Sequence, residues 1–397
     1  MGNITKFKHF LVLFLVSQSV LDASEIGASS TKSKSSKSQS TTQQEKIIPI
    51  ATFDSGFGGY FSTKEIEAAS FEISKNYNVL FNLKHFGDTL NAPYGEKSFE
   101  EIAQYSANGI LKALNGGAEK VFIACNTAST QFDRIKEILD QKNPGSSKKI
   151  VSIIEASVAE LKKQIDLRLQ DSNFAKVAIM ATPATTKAGA YPRALARAYG
   201  VKEPELKFES TDVPRWYTAK AKTALMVWGH NTLELPNGKQ INLVYMGPGN
   251  WVDLIEQGAS PDVKKEYIQK DLALFSEKLG LKDRQGSFDV VGEFCTHYPA
   301  IDKEISSSGE GLGILNAQTS RIKQGPLVAQ LFKDAYMPQI SKLKRNQKVE
   351  AKRNSEIENF NRAKIYISGT NTKETADLAK SIFPSDPAPL IEQIEFK

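Results

Sequence analysis

Val121-Phe-Ile-Ala-Cys-Asn-Thr-Ala-Ser129 is the stretch whose reading decides the fold. Four apolar residues run into Cys125, followed by Asn126, Thr127 and small residues that can open a helix. A short apolar run ending in polar residues reads as a buried parallel strand whose C-terminal end opens into a site. In open α/β sheets that edge is where ligands bind. FDVVGEFCTHYP (288–299) repeats the arrangement: an apolar strand, then Cys295, Thr296, His297 and Tyr298. The chain has only two cysteines, and each closes such a strand.

Outward from these strands the chain alternates. IIPIATF (47–53) is a strand ending at Asp54-Ser55-Gly56-Phe57-Gly58-Gly59. The glycines let backbone pass close to a ligand, and a helix from about Ser62 would offer free N–H groups to an anion. The run is not a GxGxxG fingerprint and lacks a Walker lysine. Strands are expected at 79–86, 149–154, 175–181, 312–315 and 364–369, with a short extended end at 391–396. Helices are expected at about 98–114, 157–169, 251–257, 263–279, from Pro326, and at 373–382. The 182–191 run, TPATTKAGAY, either binds a carboxylate through threonine hydroxyls or caps a helix. Residues 200–247 break the alternation. With Trp216, Trp228 and a hairpin turning at Asn237-Gly238 in type I′ geometry, they read as an insertion. Repeated strand–helix alternation predicts α/β architecture: mostly parallel sheets flanked by helices.

At 397 residues, with 40% hydrophobic and 24% charged residues, the composition is that of a globular protein of two domains. Part of the net charge of +6 belongs to a polar N-terminal tract (Lys32, Lys34, Lys37, Lys46) and to a cluster around 342–353. No stacking or groove-reading motif accompanies it, so nucleic acid is not an expected partner. The four histidines (His9, His85, His230, His297) are scattered and there is no CxxC, so no metal site is expected. Residues 1–23 read as a secretory signal: Lys6 and Lys8, then an apolar run over 10–16 too short to span a bilayer. The Ser/Thr/Lys/Gln tract to 46 reads as a disordered linker. Export, to a bacterial periplasm, is therefore expected, with no stable membrane insertion once the signal is removed.

Two thiols at two strand ends, facing one cleft, admit several readings. One sulfur removing a proton from a carbon while the other returns one to the opposite face would racemise that carbon. Asp54 and His297 stand where they can assist each thiol, and Ser55, Asn126, Thr127 and Thr296 can supply donors to an anionic intermediate. Buried cysteines that merely fill a core, a nucleophilic hydrolase and a structural disulfide remain open alternatives. Two sulfurs each about 3–3.5 Å from a shared carbon could not bond to each other without movement.

Taken together and in order, DSGFGG (54–59), GD (87–88), PYGEKS (93–98), ACNTAS (124–129), TPATTKAGAY (182–191) and CTHYP (295–299) resemble glutamate racemase. WVDLIEQG (251–258) and KIYISG (364–369) do so too, and the likeness runs from about Ile47 to the C-terminus with extra segments. It implies a cofactor-independent amino-acid racemase with two pseudo-symmetric domains and the active site between them. Cys125 would act on D-glutamate and Cys295 on L-glutamate, helped by Asp54 and His297, with Glu256 matching a further acidic residue. Ser55, Pro93, Tyr94, Gly95, Asn126, Thr127, Thr185 and Thr296 match substrate-contacting positions. Decarboxylases of the wider superfamily keep one cysteine, so the pair favours racemisation.

On this basis the first domain comprises 47–150 and 310–397 and the second 151–309, with the insertion at about 200–247. A homodimer is the family's tendency. The chain departs from the family pattern before Cys295, where Glu293 and Phe294 would reshape the site or raise the Cys295 pKa. It departs again at Ala188, at Asn250 in GPGN, and in the insertion, which would cover the cleft or build an interface. The family supplies D-glutamate to cell-wall precursors in the cytoplasm, in tension with export. Racemisation of aspartate or another amino acid, or a non-catalytic exported amino-acid-binding protein, are the alternative readings.

Overall fold

The computed structural model describes residues 45–217, 221–281, 287–343, 351–370, 372–384, 386–387 and 389–396. The expected signal segment and nearly all of the expected linker lie outside the described residues, as does most of the 342–353 basic cluster.

The first half runs β1 (Lys46–Asp54), α1 (Gly59–Asn76), β2 (Val79–Gly87), α2 (Phe99–Asn115), β3 (Lys120–Ile123), α3 (Asn126–Ser129), α4 (Phe132–Lys142), β4 (Ile150–Ser152) and α5 (Ile153–Arg168). Next come β5 (Phe174–Ala181), α6 (Pro183–Ala188), α7 (Ala190–Ala198), β6 (Phe208–Pro214), β7 (Thr223–Glu234), β8 (Gln240–Gly247), α8 (Trp251–Glu256), α9 (Pro261–Lys278), β9 (Val290–Phe294), α10 (Asp302–Gly311) and β10 (Ser320–Lys323). The chain closes with α11 (Gln324–Ile340), α12 (Ala351–Asn361), β11 (Lys364–Ile367), α13 (Thr372–Ile382) and β12 (Ile391–Gln393).

These strands form two six-stranded sheets, β12-β11-β2-β1-β3-β4 and β10-β9-β5-β8-β7-β6. Every pairing in the first is parallel. The second is parallel from β10 to β8 and antiparallel through β7 and β6. The expected α/β class, mostly parallel sheets flanked by helices, is what is observed. The alternation of side chains on β1 explains the layering. Ile48 and Ile50 join one apolar cluster with Phe81, Phe332 and Tyr336, whereas Ala51 and Phe53 join the cluster under α2. β5 divides likewise, Ala178 and Met180 to one face, Val177 and Ile179 to the other. Strands buried on both faces must be covered by helices on both.

Several sequence expectations need correction. α1 starts at Gly59, not near Ser62. The strand expected over 149–154 stops at Ser152, because the Ser152 hydroxyl accepts the Ile154 N–H at 3.2 Å and caps α5, so Ile153 and Ile154 are helical. No strand occupies 312–315. That segment follows the C-terminus of α10, with Gly313 at φ +67°, and tucks Ile314 and Leu315 into the core. The edge strand is β10, which pairs with β9 in the second sheet, so the chain rejoins the first sheet's half only after it and not at 310. The hairpin turns one residue earlier than expected: the Gly238 N–H bonds the Leu235 carbonyl at 2.9 Å, making Pro236 and Asn237 central, with Gly238 at φ +78° after them. Finally, 200–247 is no mere appendage. β8 pairs in parallel with β5 and lies inside the second sheet, and β7 and β6 extend it.

Candidate active site

β1 has β2 on one side and β3 on the other, so the chain leaves its C-terminal end at a point where strand order reverses, the position where such sheets open a crevice. Asp54 ends β1 there and is fully buried. Its Oδ1 accepts the Gly56 N–H at 3.0 Å. Burial pushes its carboxyl up to about 6, against the opposing pull of His297 and the Gly56 and Thr296 hydrogen bonds.

Cys125 follows β3 and caps α3: its sulfur accepts the Ala128 N–H at 3.4 Å and donates to Ser55 Oγ at 3.3 Å. Burial, then the charge of Asp54, push this thiol up to about 12, so at neutral pH it rests as the thiol. Cys295 follows β9, the neighbour of β5 in the second sheet. Its sulfur is 3.8 Å from His297 Nδ1, and His297 Nε2 is 2.9 Å from Glu256 Oε1 on α8. Burial alone would depress the imidazole; the Cys295 sulfur and the Glu256 carboxylate outweigh it and hold His297 well above its ordinary range. Both cysteines are free thiols.

The glycines after Asp54 are there for these neighbours. A Cβ on Gly58 would lie 2.3 Å from His297 Nδ1 and 2.6 Å from Thr296 Oγ1, and one on Gly56 2.7 Å from Glu256 Oε1. Side chains from the second sheet's half thus reach to the backbone of the first. What the glycines admit is the close approach of Glu256, Thr296 and His297.

Ser55, Pro93, Tyr94, Gly95, Cys125, Asn126, Thr127, Glu256, Cys295, Thr296 and His297 line a single cleft of about 690 Å³, counting its open mouth. Of the residues expected at the site, Asp54 and Thr185 stand behind its walls rather than on them. Thr185 belongs to a ring of hydroxyls with Thr127 and Thr182, at separations of 2.9–3.0 Å. Thr182 also caps α6 by accepting the Thr185 N–H at 3.3 Å, so capping is the structural role that the TPATT run plays here.

Asn126 is brought to the cleft, but its carboxamide is committed elsewhere. Its Nδ2 donates to Gln324 and its Oδ1 accepts from the Tyr191 hydroxyl, while Gln324 donates on to the Ala124 carbonyl. Tyr94 is fixed by its hydroxyl, which donates to Asp88 Oδ2 at 2.7 Å. Glu293 does not line the cleft: it is paired with Arg321 of β10 at 2.6 Å. Phe294 does line it, and its ring stacks on Tyr191 with centroids 4.2 Å apart.

Thr182, from the threonine run, lines the cleft, and so do Glu96, Leu225 and Asp253, to which the sequence assigned no role. Glu96 was within reach, since it directly follows the Pro93–Gly95 turn. Gln324 carried no such signal, because its role arises from a partner 198 residues away.

No protein-family profile matches the chain. Glutamate racemase from Aquifex pyrophilus is 33% identical over 259 residues, spanning 64% of this chain and 73% of that protein. Glutamate racemase from Aquifex aeolicus is 26% identical over 275 residues, 69% of this chain and 80% of its own. Among solved structures, glutamate racemase from Francisella tularensis in complex with D-glutamate matches with a TM-score of 0.57 at 18% identity, covering 88% of this chain and 98% of that one. A glutamate racemase isoform from Bacillus anthracis matches at 0.56 with 14% identity, covering 89% and 98%. The structural matches speak for the fold, and the Aquifex pyrophilus sequence carries the kinship further: the chain belongs to the glutamate racemase family.

Proposed function

We propose that this protein interconverts L- and D-glutamate by a two-base mechanism without a cofactor. The observation that carries the reading is that its only two cysteines, both free, line one cleft from strand ends of two different sheets. One sulfur, as thiolate, takes the α-proton, and the electron pair of the broken C–H bond delocalises into the α-carboxylate. The opposite sulfur, as thiol, then gives its proton to the other face of the same carbon. The product leaves with the two sulfurs' protonation states exchanged. Following the family resemblance, Cys125 serves D-glutamate and Cys295 L-glutamate.

Asp54 and the His297–Glu256 pair are the proton-handling groups beside each sulfur. The N–H groups opening α3, together with the Thr127 and Thr296 hydroxyls, are the candidate donors for the anionic intermediate. The Asn126 side chain, held by Tyr191 and Gln324, shapes that wall instead of reaching for the substrate. The test is optical rotation of L- and D-glutamate with the purified protein, with aspartate run alongside. Racemisation of glutamate supports the reading. Racemisation of aspartate alone, or none of either amino acid with reduced protein, would overturn it.

Export belongs to the same proposal. It is tested by sequencing the N-terminus of protein recovered from a periplasmic fraction. A start near Ser24 supports it; retention of Met1 with all protein in the cytoplasm contradicts it.

A further inference from the structure

Arg215 stands just after β6, in the segment first read as an insertion, and its side chain is only 3% exposed. All three of its nitrogens are in use. Nε donates to the Thr223 carbonyl at 3.1 Å, Nη1 to Asp253 Oδ2 at 2.9 Å, and Nη2 to Glu96. Both of these acidic residues line the cleft. Glu96 ends the short helical turn Tyr94–Glu96 that follows β2. Asp253 lies on α8, one turn ahead of Glu256, the partner of His297.

The two ion pairs are unequal. Asp253 is 8% exposed and Glu96 45%. The backbone on either side of Arg215 is also tied to the start of α8: the Trp216 N–H donates to Asn250 Oδ1 at 3.1 Å, and Asn250 Nδ2 donates to the Pro214 carbonyl at 3.0 Å. Arg215 is therefore anchored on the α8 side, with one arm extended to the half-exposed carboxylate of Glu96 on the turn after β2. A guanidinium fork can serve two carboxylates at once in fixed geometry; a lysine ammonium cannot.

We infer that Arg215 is a positioning residue that clasps the cleft. Its bond to Glu96 holds the Tyr94–Glu96 wall against α8, and that exposed arm is the contact that releases and re-forms as substrate enters and leaves. The inference rests on the racemase reading for its substrate, but the clasp itself has a readout independent of turnover. Glu96→Gln removes the charge of the exposed arm and leaves the Arg215–Asp253 pair intact, so the fold is retained.

Two measurements on the full chain decide it. In ligand-free protein, Cys125 and Cys295 should react with a small thiol reagent about tenfold faster in Glu96→Gln, because both line the cleft that the clasp holds closed. In glutamate racemisation the same variant should raise KM by about tenfold with kcat much less affected, the scale expected for a displaced wall remote from the bond being broken. Arg215→Lys keeps the Asp253 contact and drops the Glu96 arm, so it should reproduce both effects, and the double variant should add nothing further. Unchanged thiol labelling in Glu96→Gln would overturn the clasp, as would additive losses in the double variant. If the wild-type protein leaves glutamate unchanged, the substrate reading fails, and the labelling rates alone decide the clasp.

Discussion

Cys125 and Cys295 occupy matching strand ends, but their surroundings differ in kind. Cys125 has a carboxylate beside it: the buried Asp54, pushed up to about 6 yet ionised at neutral pH, whose charge together with burial drives the thiol up to about 12. Cys295 has an imidazole beside it, 3.8 Å away, held toward its protonated form by the carboxylate on its far nitrogen and by the sulfur itself. The strand neighbouring each cysteine differs accordingly. β1 ends in Asp54 next to Cys125, whereas β5 ends before Thr182, a hydroxyl, next to Cys295. Two lobes of similar architecture thus equip the same reactive atom with different proton partners. The proposed two-base mechanism has use for that, since it needs one sulfur as thiolate and the other as thiol.

The largest effect should come from the sulfurs themselves. Cys125→Ser and Cys295→Ser should each lower racemisation by about 10³-fold or more, read by optical rotation, because each removes half of a unit that acts together. Equal survival of either variant would break the symmetry argument at its root. The helpers come next. Asp54→Asn and His297→Asn should each cost about 10²-fold, the usual scale for losing a positioned proton-transfer group. The equilibrium constant between enantiomers is one, so kcat/KM must fall equally in both directions. The difference between the two sides then appears in α-proton exchange: Asp54→Asn should slow washout from D-glutamate more, and His297→Asn washout from L-glutamate more.

The pH dependence sharpens the same contrast. Ionised Asp54 is the form that can receive or relay a proton, and its carboxyl titrates near 6. Exchange from D-glutamate should therefore fall about tenfold per unit as pH drops below that value, and Asp54→Asn should remove this limb of the profile.

The smallest expected effect separates chemistry from mere burial. Asp271 is also raised by burial, to about 7, and accepts from Trp251 Nε1 at 3.0 Å, but it does not line the cleft. A carboxyl whose folded pKa lies above its unfolded one contributes fully below the unfolded value and loses that contribution as pH rises through the folded one. Asp271→Asn should therefore stabilise the protein by up to about 4 kcal/mol above pH 7 and by far less near pH 4, read by urea unfolding, with activity kept. Asp54→Asn should show a similar pH-dependent gain in stability together with the loss of activity.

The cysteine strands were legible because their cue is local: an apolar run buried on both faces, then polar residues at the strand end. Thr296 and His297 are read off the same strand end as Cys295, and Asp54 off the end of β1. Glu256 is different; no local pattern marked it, and only its place in WVDLIEQG brought it forward. What escaped depends on distant partners. Leu312, Ile314 and Leu315 look like a strand in isolation, yet they fill core beside α10, while the polar Ser-Arg-Ile-Lys of β10 is recruited by pairing with β9. Ser152 ends β4 early because a side-chain cap competes with the ladder. Arg215 lay in a stretch set aside as an insertion, and its value appears only once Glu96 and Asp253 converge on it.

The most direct test of the two-base claim is proton NMR in D₂O, following the α-proton of L- and D-glutamate separately with each cysteine variant. The account predicts that Cys295→Ser retains exchange from D-glutamate alone and Cys125→Ser from L-glutamate alone, with inversion lost in both. Exchange from both enantiomers in either single variant, or inversion surviving the loss of one sulfur, would contradict it.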